Sequence, residues 1–403
     1  MDGRTWQAGW KGLRKVWQAI HVYYYEDQKE ALLLDAIRPL LQELRTKFGV
    51  ERLHLRRHWK FGPHVVLQME ADHDRFTDSI LPYVREALAP YLQAHPSLRT
   101  LDPAQYIQLS KTLGAWELEA GPYEPLQADN TVVELPFVRR SEVVNGVNVM
   151  TAIENFWVKA LDAVLDIMED SRGDTLKRYL WMIKMMAAVA EQFPSDGILR
   201  GHLSYRSHVE GFLKQMDQKG QLLAAYKQQE EQLGGIVEET LRDVLSKMDA
   251  NGVYIGEERP LRIWSESLRD LFQECYTMAK DGKLTSSTDH YKDLAERIGQ
   301  EAVDRWKMDD PEAGMSDFHK TLFAKQGNEQ FFQSPEFATY RMLINVFYTY
   351  LPLFGINPNY KHLLCYLLCG AVERVKGITW QELVKGFGQS GGEGVPDEHE
   401  AKV

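Results

Sequence analysis

Cysteine is scarce in this 403-residue sequence, which has only Cys275, Cys365 and Cys369. So sparse and odd a count provides no disulfide framework and fits a reducing compartment. Cys365 and Cys369, four apart in HLLCYLLCG, share one helical face. The further ligands a zinc site needs are not evident nearby, so both are expected as buried apolar residues. Long hydrophobic runs are also missing. Lys, Arg or Tyr interrupts every apolar stretch, so none can span a bilayer, and the opening MDGRTWQAGWKGLRKVW has no signal-peptide core. A soluble, cytoplasmic protein without membrane attachment is expected. Positive charge is in deficit, with 47 Lys+Arg against 58 Asp+Glu and a net charge of −11. Such a surface repels phosphate and argues against a nucleic-acid partner, the local exception being Arg56, Arg57 and Lys60. There is no P-loop, no dinucleotide-binding glycine fingerprint and no HExxH. Gly234-Gly235 and Asn251-Gly252 read as turns or hinges, so no cofactor and no metal are expected. Internal repeats are absent as well.

What is present is apolar substance: 44% hydrophobic and 11% aromatic residues, enough for one large core or two ordinary ones. The first hundred residues mix periods. VWQAIHVYYY (16–25) reads as a strand and residues 27–49 as a helix ending at Gly49. Residues 51–59 and 64–71 read as two strands joined by Lys60-Phe61-Gly62-Pro63, and 75–95 as a helix with Pro82 and Pro90 as kink points. Residues 101–146 carry several Pro and Gly and read as loops, with a strand at TVVELPFV. Helical spacing then dominates over 149–168, 174–192, 197–217, 221–248, 260–281, 287–306, 335–352 and 358–376. The breaks fall at Gly173, Pro194-Ser195, Lys219-Gly220, Asn251-Gly252 and the 309–314 turn. Ser334-Pro335 and Asn357-Pro358 have the cap-then-proline signature of helix starts. The expected fold class is α+β: a small antiparallel sheet with a β-α-β-β-α start, packed on a large, mostly helical body. The expected divisions are 1–147 for the sheet part, 148–387 for the helical part and 388–403 for a disordered Gly-rich, charged tail.

The stretch LHLRRHWKFGPHVVLQ, residues 53–68, stands out. Alternation in a strand puts Leu53, Leu55, Arg57 and Trp59 on one side and His54, Arg56, His58 and Lys60 on the other. Arg57 in line with two leucines is costly to bury unless a carboxylate, a carbonyl, an aromatic face or a ligand meets its planar fork. Gly62-Pro63 forms a tight turn, and His64 opens the returning strand near His58 and Lys60. Neighbouring cations would hold such a histidine neutral and able to accept a proton. A second polar cluster, RGHLSYRSHVEGF, places Ser204 with His208 and Arg206 with Glu210 at helical i,i+4 spacing. That arrangement suits either a polar helix face or a binding and proton-transfer surface. Tyr23, Tyr24, Tyr25, Tyr348 and Tyr350 could position an amide or pack the core, and LWMIKMMAAVA reads as core.

The segment RHWKFGPHVVLQ, through Arg57, Trp59, Gly62, Pro63 and His64, resembles the Arg-Tyr-Trp-x-Pro-Gly-Pro-His signature of thiopeptide-type bacteriocin biosynthesis domains. These are the C-terminal elimination domains of lantibiotic dehydratases and their stand-alone relatives. WQAIHVYYYEDQKEALLLDAIRPLLQEL, RGHLSYRSHVEGFL and NVFYTYLPLFGINPNYKHLLC resemble other parts of the same domain, so the likeness runs over about residues 15–385. The resemblance implies a maturation enzyme for ribosomally made peptides. Its chemistry would be glutamate elimination from glutamylated Ser or Thr, or formal [4+2] condensation of two dehydroalanines to a pyridine. The alternative is a non-catalytic subunit that binds the precursor. A precursor peptide, leader plus core, is the implied partner, with a dehydratase or glutamylation subunit and a homodimer as further partner expectations. Implied catalytic residues are Arg57, His64, His58 and His208, and implied binding residues are Trp59, Tyr23, Ser204, Tyr205 and Arg206, around a groove between sheet and helical body. The sequence departs from the family where Val66 and Gln68 replace two arginines and where NVFYTYLPLFG has tyrosines in place of histidines. Those changes bear on glutamate elimination more than on fold or substrate class.

Overall fold

The computed structural model describes residues 15–194, 196–287, 289–306, 315–324 and 328–386. The expected disordered tail and the 309–314 turn lie outside them. The chain is α+β and divides into two compact units between Arg139 and Arg140, a few residues before the expected change.

In the first unit, β1 (Val16–Tyr23), β2 (Leu53–His58), β3 (His64–Ala71) and β4 (Thr131–Glu134) form one antiparallel sheet in the order β2-β3-β1-β4. The register sets Tyr23 opposite His64 and His21 opposite Val66. It also sets His58 opposite His64 and Arg57 opposite Val65. Because directly opposed side chains share a face, His21, Tyr23, His54, His58, His64 and Gln68 lie on one side. Ile20, Val22, Leu55, Arg57, Val65 and Leu67 lie on the other. A π-helical segment, Leu32–Ile37, runs into α1 (Arg38–Phe48), which ends at Gly49 in the left-handed conformation. α2 (His73–Arg75), a second π-helical segment, Phe76–Ile80, and α3 (Leu81–Ala94) form one continuous helical run. Pro82 lies within this run, just after its π-helical segment, and Pro90 lies inside α3. Leu32, Leu33, Ile37, Leu44, Phe76, Ile80, Val84 and Leu88 are fully buried, as are the sheet residues Ile20, Val22 and Val65. The Tyr83 hydroxyl, donating to Glu43 at 2.6 Å, ties α3 to α1.

Residues 103–117 correct the expectation of loops: α4 (Pro103–Glu117) is a regular helix. Asp102 caps it, its carboxylate accepting from the Gln105 N–H at 3.1 Å, with Pro103 in the first turn. Hydrophobic spacing does not reveal it because its buried positions are small, namely Ser110, Gly114 and Ala115. A Cβ on Gly114 would stand 2.2 Å from the Tyr123 hydroxyl, so the glycine lets the following loop fold back on the helix.

The second unit begins with a 3₁₀ turn, Ser141–Val144, followed by α5 (Val147–Asp170), α6 (Thr175–Glu191), α7 (Ile198–Met216), α8 (Gln221–Ser246) and α9 (Arg259–Lys280). The expected helix at 287–306 divides at Gly299 into α10 (Asp289–Ile298) and α11 (Gln300–Trp306). Then come α12 (Asp317–Phe323), α13 (Asn328–Phe332), α14 (Pro335–Tyr348), α15 (Pro358–Lys376) and α16 (Trp380–Gly386). The side chains of Ser334 and Asn357 accept from Phe337 and Tyr360 N–H groups at 3.2 and 3.1 Å, the caps expected from sequence. α5 and α14 pack on α9 around Trp264, Phe156, Phe347 and Tyr350, and α15 packs on α7 and α8. All three cysteines are buried and free. No helix among the described residues is long and apolar enough to cross a membrane.

Candidate functional site

The β2–β3 hairpin gathers the distinctive side chains. Its turn needs glycine: Gly62 has φ +119°, and a Cβ there would meet the Tyr25 ring and hydroxyl at 2.8 Å. The turn is pinned by Gly62 N–H donating to Trp59 O at 3.0 Å and Gln127 N–H to Phe61 O at 2.9 Å. It delivers His64 to the polar face with Nδ1 at 2.8 Å from the Gly62 carbonyl. A carbonyl only accepts, so His64 Nδ1 carries the proton and its Nε2 is bare. That Nε2 lies 2.9 Å from His21 Nδ1, which must therefore be the donor. Both rings are neutral. Burial, reinforced by His58 and Arg56, holds His21 down at about 4, and burial with His21 and His58 nearby holds His64 well below the usual histidine range. His54, on the same face, is also kept neutral by burial and by Arg56 and Arg52. Tyr23 packs 4.4 Å from the His64 ring, and burial raises its phenol well above the usual range.

His58 opens a second branch. Its Nδ1 accepts the Lys60 N–H at 3.0 Å, so its Nε2 donates to Glu119 at 3.2 Å, while Lys60 Nζ lies 3.6 Å from the same carboxylate. Alternation was expected to align Trp59 with Arg57. β2 ends at His58, however, and the indole lies against the His58 ring, with centroids 5.2 Å apart and planes 20° apart, its N–H on Glu117 at 3.0 Å. Glu117 and Glu119 come from the end of α4 and the loop after it, and the Asp102-Pro103 start was the available signal for that helix.

Arg57 lies on the opposite sheet face from His64, half-buried; burial pulls its guanidinium below the usual range, against the effect of Asp27 and Tyr106. Beside it Lys29, 2% exposed, donates to the carbonyls of Tyr24 and Glu26. Burial and Arg57 push its ammonium down to about 7. Tyr106 donates to Trp59 O at 2.8 Å. Arg57 and the imidazole beyond the turn, expected to act together, thus lie on opposite faces of the sheet, and Arg57 has Asp27, Lys29 and Tyr106 near it instead. His21, Lys29, Tyr106 and Glu119 were missed. His21 lies inside an apolar-looking strand, and the others are distant in sequence from the motif.

The remaining expected residues lie on α7. Tyr205 is fully buried, its hydroxyl donating to the Met186 carbonyl at 3.2 Å. Arg206 is spent on Glu373 and, at 3.6 Å, on Glu210. Ser204 is half-buried. His208, one turn on, pairs through Nδ1 with the Tyr348 hydroxyl at 2.7 Å. Burial, with Lys361 and His362 near, lowers it to about 3.

Similar structures share this architecture. The pyridine synthase TbtD from thiomuracin biosynthesis superposes with a TM-score of 0.66 at 21% identity, covering 90% of this chain and 99% of that one. TsrL does so with 0.63 at 18% identity, covering 92% and 98%. The tRNA-dependent lantibiotic dehydratase MibB from Microbispora sp. 107891 gives 0.49 at 13% identity, covering 94% of this chain and 29% of that one. No curated protein matches this chain by sequence. Residues 17–372 match the family described as lantibiotic biosynthesis dehydratase C-term, and the chain belongs to that family.

Proposed function

We propose that this protein matures a ribosomally made precursor peptide by joining two dehydroalanines in a pyridine-forming [4+2] reaction. The observation that carries this reading is the polar sheet face, where two imidazoles, His21 and His64, are hydrogen-bonded to each other and held neutral. Membership of the family supports a precursor peptide as the ligand. The likeness to a pyridine synthase along nearly the whole of both chains supports the choice among that family's reactions, as do Val66 and Gln68 in place of the arginines of the elimination members.

The chemistry fits the side chains. One dehydroalanine must react as a 2-azadiene, which requires its preceding amide to shift toward the imidate form. Neutral imidazoles can accept that amide proton at neutral pH, whereas imidazoliums cannot. The bond-forming step itself asks for proximity and orientation of two alkenes, which a bound peptide supplies without any nucleophile. The ring then loses water and the leader, both of which need protons returned.

The test is reconstitution with a dehydrated precursor peptide, read by mass spectrometry. Loss of the leader and one water is expected. Loss of glutamate from a glutamylated precursor would assign elimination instead, and binding without any mass change would make the protein a presenting subunit.

A further inference from the structure

We propose that His21, a residue outside the hairpin motif, is the base that takes the amide proton, and that His64 is the positioning residue that keeps its reactive lone pair bare. This rests on the pyridine-forming reading above and assigns residues to its first step.

The argument is one of accounting. The Gly62 carbonyl fixes the proton of His64 on Nδ1, at 2.8 Å. The bare His64 Nε2 then fixes the proton of His21 on Nδ1, at 2.9 Å. A neutral imidazole has one N–H, so His21 Nε2 is left as an unprotonated acceptor. His64 has both ring nitrogens engaged and offers no lone pair to a substrate. His21 Nε2 is sealed from solvent and has no hydrogen-bond partner among the described residues, and the same holds for the Tyr23 hydroxyl. Such atoms are costly to leave unpaired, and catalytic sites are where that cost is tolerated.

His21 and Tyr23 are two residues apart on β1, so they share a face, and their rings lie 6.4 Å apart and 19° from parallel. One unpaired group accepts and the other donates, which is the complement of a peptide amide. In the step, the amide N–H bond breaks and a His21 Nε2–H bond forms. The positive charge rests on the His21–His64 pair and the negative charge on the imidate oxygen, where the Tyr23 hydroxyl donates to it without losing its proton. After the ring closes, the proton returns to that oxygen, which later leaves as water, and the pair is again neutral.

The test has three readouts on the full-length protein. First, ¹⁵N spectra of histidine-labelled protein should show His21 with a pyrrole-type Nδ1 and a pyridine-type Nε2; the reverse tautomer overturns the assignment. Second, adding a dehydroalanine-containing precursor peptide should move the His21 Nε2 signal but not that of His202, whose Nε2 is also unpaired but fully buried on α7. An unmoved His21 signal overturns the assignment. Third, His21→Asn keeps a donor toward His64 and removes the base. It should lower kcat by about 10²–10⁴-fold with KM within a few-fold, and unchanged kcat overturns the assignment. If the wild-type protein forms no pyridine, the reaction assigned above has failed, and the two spectroscopic readouts still decide whether His21 Nε2 is bare and meets the peptide.

Discussion

Gly62→Ala is the sharpest perturbation the hairpin allows. The backbone there has φ +119°, outside the region an L-residue adopts at ease, and the added Cβ would lie 2.8 Å from Tyr25 Cε1 and from its hydroxyl oxygen. The Tyr25 ring cannot simply swing aside, because its hydroxyl donates to the Gln127 carbonyl and its N–H is held by Asp129 at 2.9 Å. Backbone strain of this kind costs about 1–3 kcal/mol. Forcing a methyl into a filled space costs about a further 1–3 kcal/mol. The sum, about 2–6 kcal/mol, is a large part of a domain's stability. Gly49→Ala is the internal control. That glycine also has positive φ, +56°, but nothing lies within 4 Å of its Cβ position, so only the left-handed penalty of about 1–2 kcal/mol applies. Urea unfolding of the two variants against the wild type separates the steric part from the strain. If Gly62→Ala costs no more than Gly49→Ala, the reasoning about the turn is refuted. The variant should also disturb the Gly62 carbonyl, and with it the proton position on His64.

Two other outcomes are expected. Acid should destabilise the fold between the ordinary histidine range and about pH 4. His21 is held at about 4 in the folded protein against 6.5 for an unperturbed histidine, so below neutrality the unfolded chain binds a proton that the folded one refuses, and the stabilisation present at higher pH is lost as pH falls. Between about pH 7.5 and 5 this one group contributes a loss of about 2 kcal/mol. His21→Asn should therefore flatten the pH dependence of the urea midpoint by that amount, and an unchanged slope would count against the buried neutral imidazole. Asp102→Ala should cost about 0.5–2 kcal/mol by removing the cap of α4, read by thermal unfolding. Because α4 leads into Glu117 and Glu119, the variant should also loosen Trp59 and His58, visible as a change in tryptophan fluorescence.

Local chemistry made much of this protein readable before any coordinates. The three strands of the opening hairpin region, the Gly49 helix stop, the capped starts at Ser334 and Asn357 and most of the long helices follow from side-chain period and cap residues, which act over a few positions. The Arg57-to-His64 motif marked the β2–β3 hairpin and pointed to the family. Helix α4 escaped because its buried face is made of small residues, and Trp59 was misplaced because alternation was carried one residue past the end of β2.

The sequence by itself therefore determined most of the elements and the hairpin with its Gly62-Pro63 turn. Only the tertiary structure decided which groups meet. Register put His21 of β1 against His64 of β3, 43 positions away, and the loop after α4 brought Glu119 to His58 across 61 positions. The proton on each imidazole is set by a partner's ability to donate or accept, and that is a property of spatial neighbours, which spacing along the chain does not encode.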